Sequence, residues 1–161
     1  MFVYEKKLEY PVRIRNTNPA LAKFICSQYG GPDGELGASL RYLSQRYSMP
    51  YPELKGLLTD IGTEELGHLE MVGTIVHQLT RNLTVDQIKE AGFDTYFVDH
   101  TTGVFPQFAS GYPWSAATMQ VTGDTIADLT EDLAADAART QEQHGICQPL
   151  HILTEKMREF A

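Results

Sequence analysis

Hydrophobic positions along this chain recur mostly in steps of three and four, the period of helices, and proline or glycine stands where the period resets. The longest such stretch runs from Pro52 to about Thr80. Within it, positions 54, 58, 61, 65, 68, 72, 75 and 79 alternate in steps of four and three and mark one seam facing a bundle core. Six of them are Leu54, Leu58, Ile61, Val72, Ile75 and Leu79. Asn18-Pro19 is an N-cap with proline at the first helical position and predicts a helix toward Gln28. After the break at Gly30-Gly31-Pro32, helicity resumes at about Asp33 and runs to Tyr47, with Leu36, Leu40, Leu43 and Tyr47 marking an apolar face that Glu35 borders.

A short helix is expected from Thr84 to Ala91, closed by Gly92. A third long one runs from Gly123-Asp124 to about Gln143, and a weaker fourth from Pro149 to Phe160. Residues 1–17 alternate Val12 and Ile14 with Arg13 and Arg15 around Pro11, which predicts an extended arm of the kind that packs on a neighbour. Residues 92–123 carry many aromatics, glycines and prolines without helical period, which fits a long ordered crossover. Four helices and one long crossover make an all-α, ferritin-like four-helix bundle with an extended N-terminal arm. At 161 residues the chain fits a single domain, 1–161.

Charge narrows the partners. With 13 Lys+Arg against 21 Asp+Glu the formal charge is −8, which disfavours nucleic acid or an anionic membrane and leaves acids free to hold cations. Cys26 and Cys147 have no metal-site spacing and read as free thiols of a reducing compartment, with a disulfide left open. The N-terminus meets charge by Glu5, so no secretory leader is expected. No apolar run reaches the roughly 18 residues of a membrane span.

The chemistry sits where the longest seam is interrupted. Its two central positions are Glu65 and His68, and each would cost several kcal/mol in an apolar interior unless paired or metal-bound. Residues three apart share a helix face, so their side chains can converge on one cation; carboxylate plus imidazole suits manganese or iron, and also zinc. The plain alternative is a buried Glu–His hydrogen bond, and an isolated Glu-x-x-His favours it. On the third helix the seam reads Ile126, Leu129, Leu133, Asp136 and Thr140, again with an acid on it. Asp132 and Asp136 also fit the solvated face of an acidic helix. Glu35 has a simple reading as a first-turn acid favoured by the helix dipole. Dinuclear carboxylate bundles take one Glu from each of two helices and Glu-x-x-His from each of the other two. Glu35, Glu65 with His68, and Asp136 supply three helices in an acceptable order. The last helix offers a seam of Leu150, Leu153, Met157 and Phe160, so Met157 and Phe160 stand where Glu and His belong.

Several longer stretches point further: Tyr4-Glu5-Lys6-Lys7, residues 28–36 from Gln28 to Leu36, Arg41-Tyr42-Leu43, residues 57–65 from Leu57 to Glu65, and His68-Leu69-Glu70-Met71. Ser110-Gly111-Tyr112-Pro113-Trp114, Gly123-Asp124 and Ala127-Asp128-Leu129 extend the pattern. On these residues the chain, to about Arg139, resembles the manganese-catalase family and within it the shorter, CotJC-like spore-coat branch of endospore-forming bacteria. The resemblance implies disproportionation of hydrogen peroxide to water and dioxygen at a carboxylate-bridged pair of manganese ions. It implies Glu35, Glu65 and His68 as metal ligands, Asp136 in place of a third-helix glutamate with a shorter reach, and Tyr42 as a hydrogen-bond donor behind Glu35. It also implies a homo-oligomer, usually a hexamer, in the cytoplasm or in a spore coat assembled in the mother cell beside other coat proteins.

After Arg139 the likeness degrades, and the chain ends where the family's final His and its adjoining Glu are expected. His144, in the divergent stretch, and His151, one position off the seam, are expected to face solvent. Two other classes stay open: a structural spore-coat protein with little catalysis, whose Met157 and Phe160 fill the space of a missing metal, and a ferritin-like di-iron oxidase using iron.

Overall fold

A computed structural model describes residues 3–30, 33–94, 115 and 119–143, with side chains described as far as Ala137. Among these residues the secondary structure is helical and no strand occurs: α1 Pro19–Gly30, α2 Glu35–Gln45, α3 Pro52–Thr80, α4 Val85–Glu90 and α5 Thr125–Gln143. Most of the 92–123 crossover and the whole Pro149–Phe160 segment, with His144, His151, Cys147, Met157 and Phe160, lie outside the described residues. No described helix is long and apolar enough to cross a membrane.

Capping chemistry sets the boundaries. Asn18 accepts from the Leu21 amide through its side chain at 3.0 Å, and its own amide donates to the Leu79 carbonyl at 2.9 Å, fastening the start of α1 to the end of α3. Pro52 opens α3 at a position whose amide is not needed. Thr84 and Gln87 form a reciprocal capping box for α4, and Gly92, at φ +66, ends that turn in the left-handed region. At α5 the Asp124 carboxylate accepts from the Ala127 amide at 2.9 Å.

Two apolar clusters hold the fold. Ala22, Ile25 and Cys26 of α1 pack against Val72, Val76 and Leu79 of α3, with Ile88 and Phe93 closing that end. Burial pushes the Cys26 thiol up to about 12, so this free cysteine is a packing residue rather than a nucleophile. In the second cluster Ala38, Tyr42 and Met49 meet Leu58 and Ile61 of α3, with Leu129 and Leu133 of α5 against them. The helices α2 and α3 approach closely at Gly62, whose carbonyl accepts from Ser39 Oγ at 2.6 Å. A Cβ there would lie 2.8 Å from Leu43 Cγ and 3.2 Å from Tyr42 Cβ. Gly62→Ala is therefore expected to lower the thermal midpoint, because overpacking outweighs the ~1 kcal/mol of helix propensity that alanine adds.

Residues 3–18 form neither helix nor strand, and Gln78 fastens this arm to its own α3: the Ile14 amide donates to Gln78 Oε1 at 2.7 Å and Gln78 Nε2 donates to the Val12 carbonyl at 2.9 Å. Val3, Tyr4 and Tyr10 remain exposed along it.

Two helical faces differ from expectation. On α2 the leucine face lies to the side of the inward one: Leu40 and Tyr47 are exposed and Leu36 and Leu43 half-buried, while Glu35, Ala38, Ser39, Tyr42 and Gln45 are buried. The inward face is rotated by about one residue, roughly 100°. On α5, Ile126 is 74% exposed, and Asp128, Asp132 and Asp136 are the buried stripe. The solvated reading of Asp132 and Asp136 is thus overturned. Both errors have one cause: counting apolar residues locates the inside of a helix only when the inside is apolar, and here part of it is built from acids and amides.

Candidate metal centre

The interrupted seam of α3 lies inward as its periodicity predicts. Leu58, Ile61, Val72 and Leu79 are buried, and between them Glu65 is fully buried and His68 nearly so. Glu35, the first residue of α2, is also fully buried. It follows Gly34, whose extended backbone turns the chain into the helix. α2 thus begins with a side chain that meets the middle of α3.

One oxygen from each of Glu35 and Glu65 and one nitrogen of His68 lie within 4.8 Å of one another. His68 Nδ1 is the ring nitrogen turned to both acids, 2.9 Å from Glu65 Oε2 and 3.9 Å from Glu35 Oε2. With the proton on Nδ1 the imidazole donates to Glu65. With the proton on Nε2 the Nδ1 lone pair faces the same space as the two carboxylates. Two acids and an imidazole, buried in an apolar seam and converging on one point, fit a divalent first-row metal: the ion would offset the desolvation of charged groups that the interior otherwise penalises.

Asp136 is buried on α5 but does not belong to the converging group, which comprises Glu35, Glu65 and His68 alone among the described residues. Tyr42 is fully buried on the same face of α2 as Glu35, inside the second apolar cluster.

A further set of buried polar side chains lies between α2 and α5 and was not singled out from sequence. Arg41 and Gln45 on α2 and Asp128 and Asp132 on α5 are all buried. Arg41 Nη2 donates to Asp33 Oδ1 at 3.1 Å. Gln45 Nε2 donates to Asp132 Oδ1 at 3.0 Å and to the Gln120 carbonyl at 2.8 Å. Burial pushes the Asp132 carboxyl up to about 7, against the lowering effect of Gln45 and Arg41. Burial acts upward on Asp128 too, but the hydroxyl and amide of Thr122 and the amide of Gly123 together hold that carboxyl below the usual range. A signal for this layer existed in the spacing: 35, 38, 42 and 45 on α2, and 128, 132 and 136 on α5, step by three or four.

Residues 1–146 match the family described as manganese containing catalase. The chain belongs to the manganese-containing catalase family. It is similar to protein CotJC of Bacillus subtilis (strain 168), with 54% identity over 136 residues, 84% of this chain and 71% of that one. To a probable manganese catalase of Clostridium acetobutylicum it is 36% identical over 138 residues, covering 84% of this chain and 61% of the relative. The crystal structure of KatB, a manganese catalase from Anabaena, superposes with a TM-score of 0.81 at 31% identity over 99% of this chain and 76% of that one. The manganese-catalase fold, a ferritin-like helical bundle, is therefore the fold of this chain. Its function is manganese-catalase-like, and the Glu35, Glu65 and His68 group is a place in the described residues where a metal fits.

Proposed function

We infer that this chain binds manganese through Glu35, Glu65 and His68 and disproportionates hydrogen peroxide to water and dioxygen. The observation that carries this reading is the buried convergence of those three side chains at the centre of an apolar seam. When bound, manganese supplies the redox change and Lewis acidity of the reaction. The protein's own residues supply the rest. Glu35 and Glu65 approach from two helices and present negative charge to the cation, while the surrounding Leu58, Ile61 and Val72 exclude bulk water and keep the electrostatics strong. His68 would hold the ion through a ring nitrogen freed of its proton, and Glu65, 2.9 Å from Nδ1, orients the ring.

The family pattern takes two ions, and a second requires donors beyond this group, with Asp136 the buried α5 carboxylate that the family resemblance puts forward. The test is manganese content per chain together with oxygen release from peroxide. Bound manganese with oxygen release supports the reading, a protein that takes up no manganese sinks it, and oxidation of ferrous iron without oxygen release selects the di-iron oxidase. Likeness to CotJC over 84% of this chain favours a place in the spore coat. Exposed Val3, Tyr4, Tyr10 and Tyr47 support assembly as a homo-oligomer, to be read by light scattering.

A further inference from the structure

We propose that Gln45 and Asp132 form a latch that sets the position of α5 along α2, and so fixes how far Asp136 reaches toward the Glu35, Glu65 and His68 group. They are positioning residues, and the proposal rests on the manganese reading above. Both side chains are fully buried, and their hydrogen bond links two helices through residues 87 apart in sequence. The same Gln45 amide also holds the Gln120 carbonyl, in the segment that leads into α5. One side-chain NH2 group thus ties down both the approach to α5 and its second turn.

Beside this bond the α2–α5 contact includes the attraction of Arg41 for Asp132 and apolar packing that tolerates sliding. Leu129 and Leu133 are only partly buried against the cluster of Ala38, Tyr42, Met49, Leu58 and Ile61, and apolar contacts are non-directional. A hydrogen bond is not: it weakens steeply once distance or angle departs from a narrow range. Ala38 and Ile61 stand about one turn from Glu35 and Glu65, so the cluster on which α5 rests leads to the metal group. Asp136 lies one turn beyond Asp132 on the same buried stripe. A slip of one residue moves it by about 1.5 Å along the axis and turns it by roughly 100° away from that stripe. Because aspartate is the shorter acid, it has little slack to absorb such a slip.

The experiment is a double-mutant cycle on manganese affinity, with folding followed by circular dichroism. Replacing Gln45 and Asp132 together by apolar side chains of similar shape, Gln45→Met with Asp132→Leu, removes both partners of their hydrogen bond, leaves the carbonyl of exposed Gln120 to water and leaves Arg41 its bond to Asp33, so the bundle is expected to fold. The latch variant is expected to bind manganese at least about 10-fold more weakly, Asp136→Ala to show a loss of similar size, and the combination to lose no more than either. Asp132→Asn, which still accepts the Gln45 hydrogen bond, is expected to retain wild-type affinity and serves if the double replacement does not fold. Wild-type affinity in the latch variant would overturn the proposal while leaving the manganese reading intact. Losses that add, or a weakened Asp132→Asn, would also overturn it. A wild-type chain that binds no manganese would instead remove the reading on which it rests.

Discussion

Replacing Glu65 and His68 together by leucine is expected to remove manganese binding while leaving the metal-free bundle as stable as before or more so. The two side chains interrupt a seam that is apolar on both sides, from Leu58 and Ile61 to Val72 and Leu79. Leucine at both positions continues that seam, and exchanging a buried ionic pair for apolar residues of similar volume is commonly neutral or stabilising by about 1–4 kcal/mol. His68→Ala alone should behave in the opposite way. It opens a cavity and takes from Glu65 the donor that stands 2.9 Å away, so metal-free stability falls by about 2 kcal/mol or more. The measurement is the thermal midpoint with and without manganese. A ligand at 100 times its dissociation constant adds about 2.7 kcal/mol to the folded state, so the wild-type midpoint rises and both variants stay flat. A manganese-dependent rise that survives in the double-leucine variant would show that the metal is held elsewhere.

The contrast between those two variants explains what could be read in the sequence. The α3 seam was legible because its apolar residues outnumber its polar ones three to one, so Glu65 and His68 stood out as interruptions. Helix boundaries at Pro19, Pro52, Thr84 and Gly92 were legible because each rests on local backbone chemistry. The inner faces of α2 and α5 were not. Their buried positions include Glu35, Ser39, Arg41, Gln45, Asp128, Asp132 and Asp136, and polar residues mark an interior only when their partners are known. Those partners come from distant parts of the chain, as with Gln45 and Asp132, and a hydrophobicity pattern holds no record of them. The family resemblance supplied Glu35 as a ligand expectation, whereas the Gln45–Asp132 link emerged only from tertiary geometry.

Raising the pH from 5 to 8 is expected to destabilise the metal-free protein, with Asp132 responsible for a large share. Its carboxyl is pushed up from 3.8 to about 7, first by burial, with Asp128 and Glu131 adding repulsion and Gln45 and Arg41 opposing. A raised carboxyl means that the folded state keeps its proton over a range in which the unfolded chain has lost it. Between about pH 4 and 7 the folded state therefore binds more protons, and stability falls as pH rises. Below that window both states are protonated and the cost vanishes; above it the ionised carboxylate sits in the interior at full cost. At ~1.4 kcal/mol for each tenfold change in proton affinity, the full cost is on the order of 4 kcal/mol. Denaturant midpoints at pH 5 and pH 8 for wild type and Asp132→Asn read it out. Asparagine cannot ionise and still accepts the Gln45 hydrogen bond, so the variant should lose most of the pH dependence and exceed wild type at pH 8. Equal slopes in the two proteins would place the pH dependence on other groups and show that the Asp132 carboxylate ionises in the fold at little cost.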